Sequence, residues 1–180
     1  MGTTIRPAVP DDGEALQEIE LLAGERFREI GMAAIADHDP ASLDVLACYA
    51  TGGRAWVAVD GDGTRLGYVI VDVVDGCAHV EQVSVRPADQ GTGVGRALLD
   101  QVTEWAIATD RPALTLTTFA DVPWNRPLYE HLGFRVMAGA EIGPELRAVC
   151  ADEAAHGLDP ATRVCMRRDL DDDSASVYSE

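Results

Sequence analysis

Val83–Leu99 reads VSVRPADQGTGVGRALL. A run of β character breaks at Pro87, passes through Gly91, Gly93 and Gly95 at intervals of two, and opens directly onto the apolar stretch that follows Arg96. Strand, glycine turn and helix in that order make an anion cradle. Glycine reaches left-handed backbone conformations that turn successive N–H groups into one concavity, and a helix start adds unpaired donors and the positive end of its dipole. The plain alternative is a tight strand-to-helix turn that holds no ligand.

Other glycine-rich sites fit the chain poorly. A dinucleotide fold wants G-x-G-x-x-G near the start, with an acidic ribose ligand about twenty residues on. Here the spacing is G-x-G-x-G, the loop lies mid-chain, and Arg96 stands where the last glycine would be. A Walker loop needs a lysine for the terminal phosphates and a pyridoxal enzyme needs one for its Schiff base. All fourteen basic residues of this chain are arginine, which excludes both.

Gln90-Gly91-Thr92-Gly93-Val94-Gly95 resembles the Q/R-x-x-G-x-G/A signature of the GNAT superfamily, the acyl-coenzyme A dependent N-acyltransferases. Val83-Ser84-Val85-Arg86-Pro87 before it, Arg96-Ala97-Leu98-Leu99 after it, and Leu128-Tyr129-Glu130-His131-Leu132-Gly133-Phe134 later resemble the family's central segments in the family's order. The likeness covers roughly residues 54 to 139, and Thr4 to Met32 fits the first strand and helix. It implies an α/β (α+β) fold: a central mixed, mostly antiparallel sheet of about six or seven strands flanked by about four helices, with parallel strands 4 and 5 splayed apart. It also implies acetyl-coenzyme A as co-substrate, gripped by Val83, Ser84, Val85, Gln90, Gly91, Thr92, Gly93, Val94, Gly95 and Arg96. Homodimers are common in the family.

A chain of 180 residues that is 47% hydrophobic suits a single domain with a sizeable core, expected over residues 1–168. Residues 169–180, DLDDDSASVYSE, are acidic and poor in apolar groups, and are expected to form a disordered tail. No apolar run approaches the roughly eighteen residues of a membrane span, and no basic-then-apolar segment opens the sequence, so a soluble cytoplasmic protein is expected. Cys48, Cys77, Cys150 and Cys165 are widely spaced without C-x-x-C, which points to buried free thiols and no metal. A net charge of −17 repels nucleic acid and anionic lipid and favours a cationic partner.

Thr4 to Arg6 starts a strand, and Asp11 or Asp12 caps a helix whose apolar face is Ala15, Leu16, Ile19, Leu22 and Ala23. Residues 24 to 52 read as broken helix, with a short helix around Leu43, Leu46 and Ala47. Arg54–Val59 and Leu66–Val73 form an antiparallel hairpin about Asp60-Gly61-Asp62-Gly63, followed by a strand from Cys77 to Arg86. In that strand Ala78, Val80, Val83 and Val85 are spaced two, three, two, so a β-bulge is expected near Glu81-Gln82. The resemblance places the splay, and the cofactor's pantetheine arm, at such a bulge. A helix then runs to about Ala108, Ala113–Phe119 is a strand, Pro123–Leu132 a helix with Pro123 in its first turn, and Phe134–Ala138 a strand. Glu141–Pro160 is loop or helix, and Thr162–Arg167 is the final strand.

An amine attacks a thioester only as its free base, and a lysine-like amine with a pKa near ~10.4 is almost wholly protonated at neutral pH. Glu81, on the expected bulge, is the candidate base, directly or through a water; a solvent-facing strand glutamate is the alternative, and His79 is the second candidate. The resemblance assigns the backbone N–H of Val83 to the developing oxyanion and Tyr129 to the departing thiolate. Asn125 resembles the family asparagine that contacts the cofactor, but it stands four residues before Tyr129, where seven is commoner, so helix capping or a loop hydrogen bond competes with that role. Arg96 is placed to pair with a pyrophosphate, or to be a solvated helix arginine. Glu20, Glu25 and Glu29 would attract a cation or form a solvated face.

The expected activity is transfer of acetyl to a primary amine of a small molecule or peptide in a ternary complex. A polyamine, an aminoglycoside, an amino acid and a peptide N-terminus all satisfy it. The second function class is a catalytically silent acyl-coenzyme A binding module acting as sensor or regulator.

Overall fold

The computed structural model describes residues 2–170. Its strands are β1 (Thr4–Pro7), β2 (Ala55–Val59), β3 (Arg65–Val74), β4 (Cys77–Val85), β5 (Ala113–Phe119), β6 (Arg135–Val136) and β7 (Arg163–Asp169). They hydrogen-bond in the order β1-β2-β3-β4-β5-β7-β6. The described helices are α1 (Gly13–Gly24), α2 (Ala33–Ala36), α3 (Leu43–Thr51), α4 (Val94–Ala108), α5 (Arg126–His131) and α6 (Pro144–Ala155). The parallel pair β4–β5 stands among antiparallel ones, which is the mixed sheet expected from the sequence. The chain divides into two compact units, one holding the residues up to Asp72 with Glu81–Val102, the other Val73–Val80 with the residues from Thr103 onward.

In the first unit, the apolar stripe of α1 presents Leu16 and Ile19 to Leu46 of α3 and to Ala55, Val57, Tyr68 and Ile70 of the β2–β3 hairpin. Burial of such side chains contributes on the order of 2 kcal/mol each. The hairpin turn closes as the sequence predicts, with the Asp60 carboxylate accepting the N–H groups of Asp62 and Thr64. Asp12 departs from expectation. It stands at the N-cap position of α1 but makes no side-chain cap bond. Its fully buried carboxylate instead takes Arg6 at 2.8 Å, Arg65 at 2.9 Å and the N–H of Val9. Burial alone would raise this carboxyl, but the bonds from Arg6, Val9 and Arg65 outweigh it and hold the group well below the usual carboxylate range.

Gly67 of β3 is where two backbones come close, since a Cβ there would stand 2.7 Å from the Ser84 carbonyl oxygen of β4. No larger residue fits without moving the strand.

In the second unit, β5 and β7 pair along seven residues, from Ala113↔Asp169 to Phe119↔Arg163. Asp169 therefore closes a strand, and Leu170 donates its N–H to the Pro112 carbonyl; the rest of the expected tail, 171–180, lies outside the described residues. Val74, Met137, Leu146 and Cys165 form a core beneath α6. The α6 start is capped by Asp75, seventy residues away, whose carboxylate accepts from the N–H groups of Glu145 (3.0 Å) and Leu146 (2.9 Å). Two expected boundaries shift: α5 begins at Arg126 with Pro127, not Pro123, in its first turn, and β6 keeps only Arg135–Val136. Cys48 is exposed, against the expectation that all four thiols are buried.

Candidate active site

The glycine turn forms as predicted. Gly91 and Gly93 have φ of +77° and +94°, conformations in which an L side chain is strained, and α4 starts immediately afterwards at Val94. The first intrahelical bond here runs from the Ala97 N–H to the Gly93 carbonyl at 3.0 Å. The N–H groups of Val94, Gly95 and Arg96 thus stand ahead of the helical ladder, where helix geometry leaves donors without intrahelical acceptors. A Cβ at Gly91 or Gly93 would meet nothing within 4 Å, so open space lies over the turn. A Cβ at Gly95 would make only an ordinary 3.6 Å contact with Val85, so packing does not dictate glycine there.

The loop is fastened from below. Gln90 donates to the Val85 carbonyl at 3.1 Å and accepts from Arg26 at 2.9 Å, so its amide staples the strand end and is occupied on both sides. Thr92 donates to the Asp89 carbonyl, and Arg86 pairs with Asp89. Arg96 is exposed and lies 4.0 Å from Asp100, one helical turn on. Arg26 went unnoticed in the sequence, because sixty-four residues separate it from Gln90.

β4 changes character at one peptide bond. Its parallel pairing with β5 covers Ala78–Val80. Over that stretch every residue is buried, including His79, whose Nδ1 lies 3.0 Å from the Thr115 hydroxyl. A histidine only 1% exposed and bonded in the core is placed as a structural group, not as a base facing substrate. Glu81, the next residue but one, is exposed. Val83 and Val85 are half-buried and Ser84, not either valine, is the buried member, accepting from the Gln82 amide at 2.9 Å. The expected single apolar face thus does not persist beyond Val80.

Within the same unit, a cleft of about 270 Å³ is lined by Asp44, Val45, Cys48, Tyr49, Arg54 and Asp72. Tyr49 donates to Asp72 at 2.6 Å, and Arg54 bonds the other carboxylate oxygen. Burial, then the Asp72 bond and charge, with a contribution from Glu81, push the Tyr49 phenol well above its ordinary range. Glu81 therefore acts electrostatically on this cleft, which sequence reading missed because α3 and β3 contribute its polar groups from distant positions. Of the early acidic residues, Glu20 accepts from the buried Tyr68 hydroxyl, and burial raises its pKa. Glu25 pairs with Arg28 at 3.2 Å. They do not form one open anionic face.

Tyr129 and Asn125 belong to the second unit. Tyr129 sits on α5, its ring edge-on to Phe134 at 5.8 Å. Burial pushes its hydroxyl up to about 12, against a smaller opposing pull from Arg163, so it holds its proton at neutral pH. Asn125 occupies the α5 N-cap position without a side-chain cap bond, so the capping alternative is not realised. Among the described residues no cluster fit for a metal ion is found, and no helix is long and apolar enough to cross a membrane.

A mixed sheet with one parallel pair at β4–β5, and a glycine turn leading from β4 into the start of a helix, define an α/β class. The chain belongs to the Acetyltransferase (GNAT) family, whose family model matches residues 16–134. It is similar to proteins named mycothiol acetyltransferase. That of Geodermatophilus obscurus is 33% identical over 107 residues, covering 53% of this chain and 34% of that protein. That of Beutenbergia cavernae is 28% identical over 162 residues, covering 77% of this chain and 54% of that protein. The chain thus spans between a third and just over half the length of these relatives. In fold it is similar to the PaiA N-acetyltransferase of Thermoplasma acidophilum, solved in complex with coenzyme A, with a TM-score of 0.68 and 14% identity over 94% of this chain and 100% of that one.

Proposed function

We propose that the protein transfers the acetyl group of acetyl-coenzyme A to a primary amine by direct attack in a ternary complex. The observation that carries this reading is the left-handed turn at Gly91 and Gly93, with open space at both glycines, immediately before the first turn of α4. In a chain with a net charge of −17, an anionic diphosphate needs such a local concentration of backbone donors, and exposed Arg96 is available beside it. Gly91, Thr92, Gly93, Val94, Gly95 and Arg96 would hold the diphosphate, Gln90 would fix the loop, and the β4 edge at Val83, Ser84 and Val85 would align the arm. Acetyl-coenzyme A supplies the acetyl group as an activated thioester.

Glu81 takes the proton that the attacking amine must lose, directly or through a water; its exposed position on β4 supports that role. The Val83 N–H meets the developing oxyanion, where a well-aimed donor contributes on the order of 3 kcal/mol. Tyr129, still protonated at neutral pH, hands its proton to the departing thiolate. Asn125, whose side chain makes no cap bond, is assigned to the cofactor. The acceptor is a small-molecule or peptide amine, and the overall charge favours a cationic one. Two relatives carry the name mycothiol acetyltransferase, so the acceptor that name implies belongs in a test panel beside polyamines, aminoglycosides, amino acids and peptide N-termini.

Calorimetric titration with acetyl-coenzyme A, followed by a thiol-release assay across that panel, tests the reading. Binding heat with amine-dependent thiol release is expected. Absence of binding by well-folded protein rejects the cradle, whereas tight binding with no acetyl loss on any amine selects the silent sensor instead.

A further inference from the structure

In the second unit, Cys150 of α6 and Cys165 of β7 bring their sulfurs to 3.4 Å, although fifteen residues separate them. Among the described residues the other two thiols have different surroundings. Cys48 is exposed on α3, and buried Cys77 contacts the Arg167 guanidinium at 3.4 Å. The pair also lies on a cavity of about 280 Å³ whose walls include Val136, Met137, Ile142 and Leu158. Cys150 is half-buried and Cys165 is 7% exposed, so one sulfur is open to a reagent in the cavity and the other waits behind it.

We propose that Cys150 and Cys165 form a dithiol site that a small, uncharged disulfide oxidises to an intrachain disulfide. A disulfide bond is about 2.05 Å long, so the sulfurs must close by roughly 1.3 Å, a distance within side-chain adjustment. Cys150, after losing its proton to solvent, attacks one sulfur of the small disulfide. That S–S bond breaks, one small thiolate leaves and is protonated, and a mixed disulfide remains on Cys150. Cys165 then attacks the Cys150 Sγ, the mixed bond breaks, and the second small thiolate departs with the Cys165 proton. The protein loses two protons and two electrons, and the small disulfide is reduced to two thiols.

The order of the two attacks follows from the surroundings. Burial first, then the contact with Cys150 and the charge of Glu153, push the Cys165 thiol up to about 12. Arg163 opposes this only in part, because it is already bonded to Glu153 and to Thr117, both at 2.9 Å. Cys165 therefore resolves and Cys150 initiates. The cavity wall is largely apolar, and its two charged members, Glu153 and Arg163, are paired with each other at 2.9 Å, which favours a neutral reagent over an anionic one. The product ties α6 covalently to β7 along the wall of the cavity.

The test uses the full chain, wild type and Cys48→Ser, exposed to hydroxyethyl disulfide, then trapped with an alkylating reagent and read by intact mass and peptide mapping. The expected product has Cys150 and Cys165 unalkylated and their peptides linked, two hydrogens lighter than the two free-thiol peptides together, with the link reversed by dithiothreitol. Cys165→Ser is expected to stop at a stable hydroxyethyl adduct on Cys150, and Cys150→Ser to consume no reagent at Cys165. Full alkylation of both cysteines in the wild type, a persistent adduct on Cys150 without closure, or a link through Cys77 would each overturn the proposal. The wild-type measurement decides even if a variant fails to fold.

Discussion

The two stretches of β4 differ in both burial and pairing. Cys77–Val80 is buried throughout and carries three parallel pairings, and its polar residue His79 is satisfied by Thr115. Glu81–Val85 alternates exposed, half-buried and buried positions and leads into the glycine turn. One continuous strand thus passes from structural core to candidate chemistry within a single peptide unit. A polar residue in a strand is informative about function only once its own bonding is known: His79 and Glu81, two residues apart, are both titratable, and only Glu81 is exposed.

The sharpest way to break this contrast is Glu81→Gln. If the exposed stretch does the chemistry, turnover should fall by about 100-fold or more, the pH–rate profile should lose its dependence on an enzyme base, and the melting temperature should barely move. An unchanged rate and profile would place the base elsewhere. His79→Ala should do the reverse, costing about 2 kcal/mol in a urea titration by removing a buried polar contact, with KM for acetyl-coenzyme A unaltered. Gly93→Ala comes next. An L side chain at that backbone angle costs roughly 1–2 kcal/mol, so the loop should rearrange and calorimetry should show acetyl-coenzyme A binding weakened by about tenfold. Tyr129→Phe should have the smallest effect, lowering kcat several-fold and leaving cofactor affinity intact. Full activity would remove its acid role.

How much of this was legible beforehand depended on the range of the interaction concerned. The hairpin about Asp60, helix α4 and strand β5 were readable because their signals are local: a turn sequence, a helical stripe and a β-branched run. The glycine turn was legible for the same reason, since φ > 0 is a property of single residues. Pro123 misled because a first-turn proline looks alike wherever it falls; a turn from the Asn125 N–H to the Val122 carbonyl intervenes, and Pro127 takes the position. The Asp75 cap on α6, the Arg26 bond to Gln90, the Tyr49–Asp72 contact and the meeting of Cys150 with Cys165 are long-range, and no local pattern announces them.

The knot around Asp12 gives this fold an acid limit. A carboxyl held more acidic when folded than when unfolded favours the native state at any pH above its ordinary value of about 3.9, and that advantage is surrendered as falling pH reaches the depressed value. Mild acidification should therefore be harmless here, even helpful, as surplus surface anions take up protons and their mutual repulsion fades. Collapse should come later and steeply, when the one shielded carboxylate that both Arg6 and Arg65 share is finally neutralised and two guanidinium groups lose their common counterion.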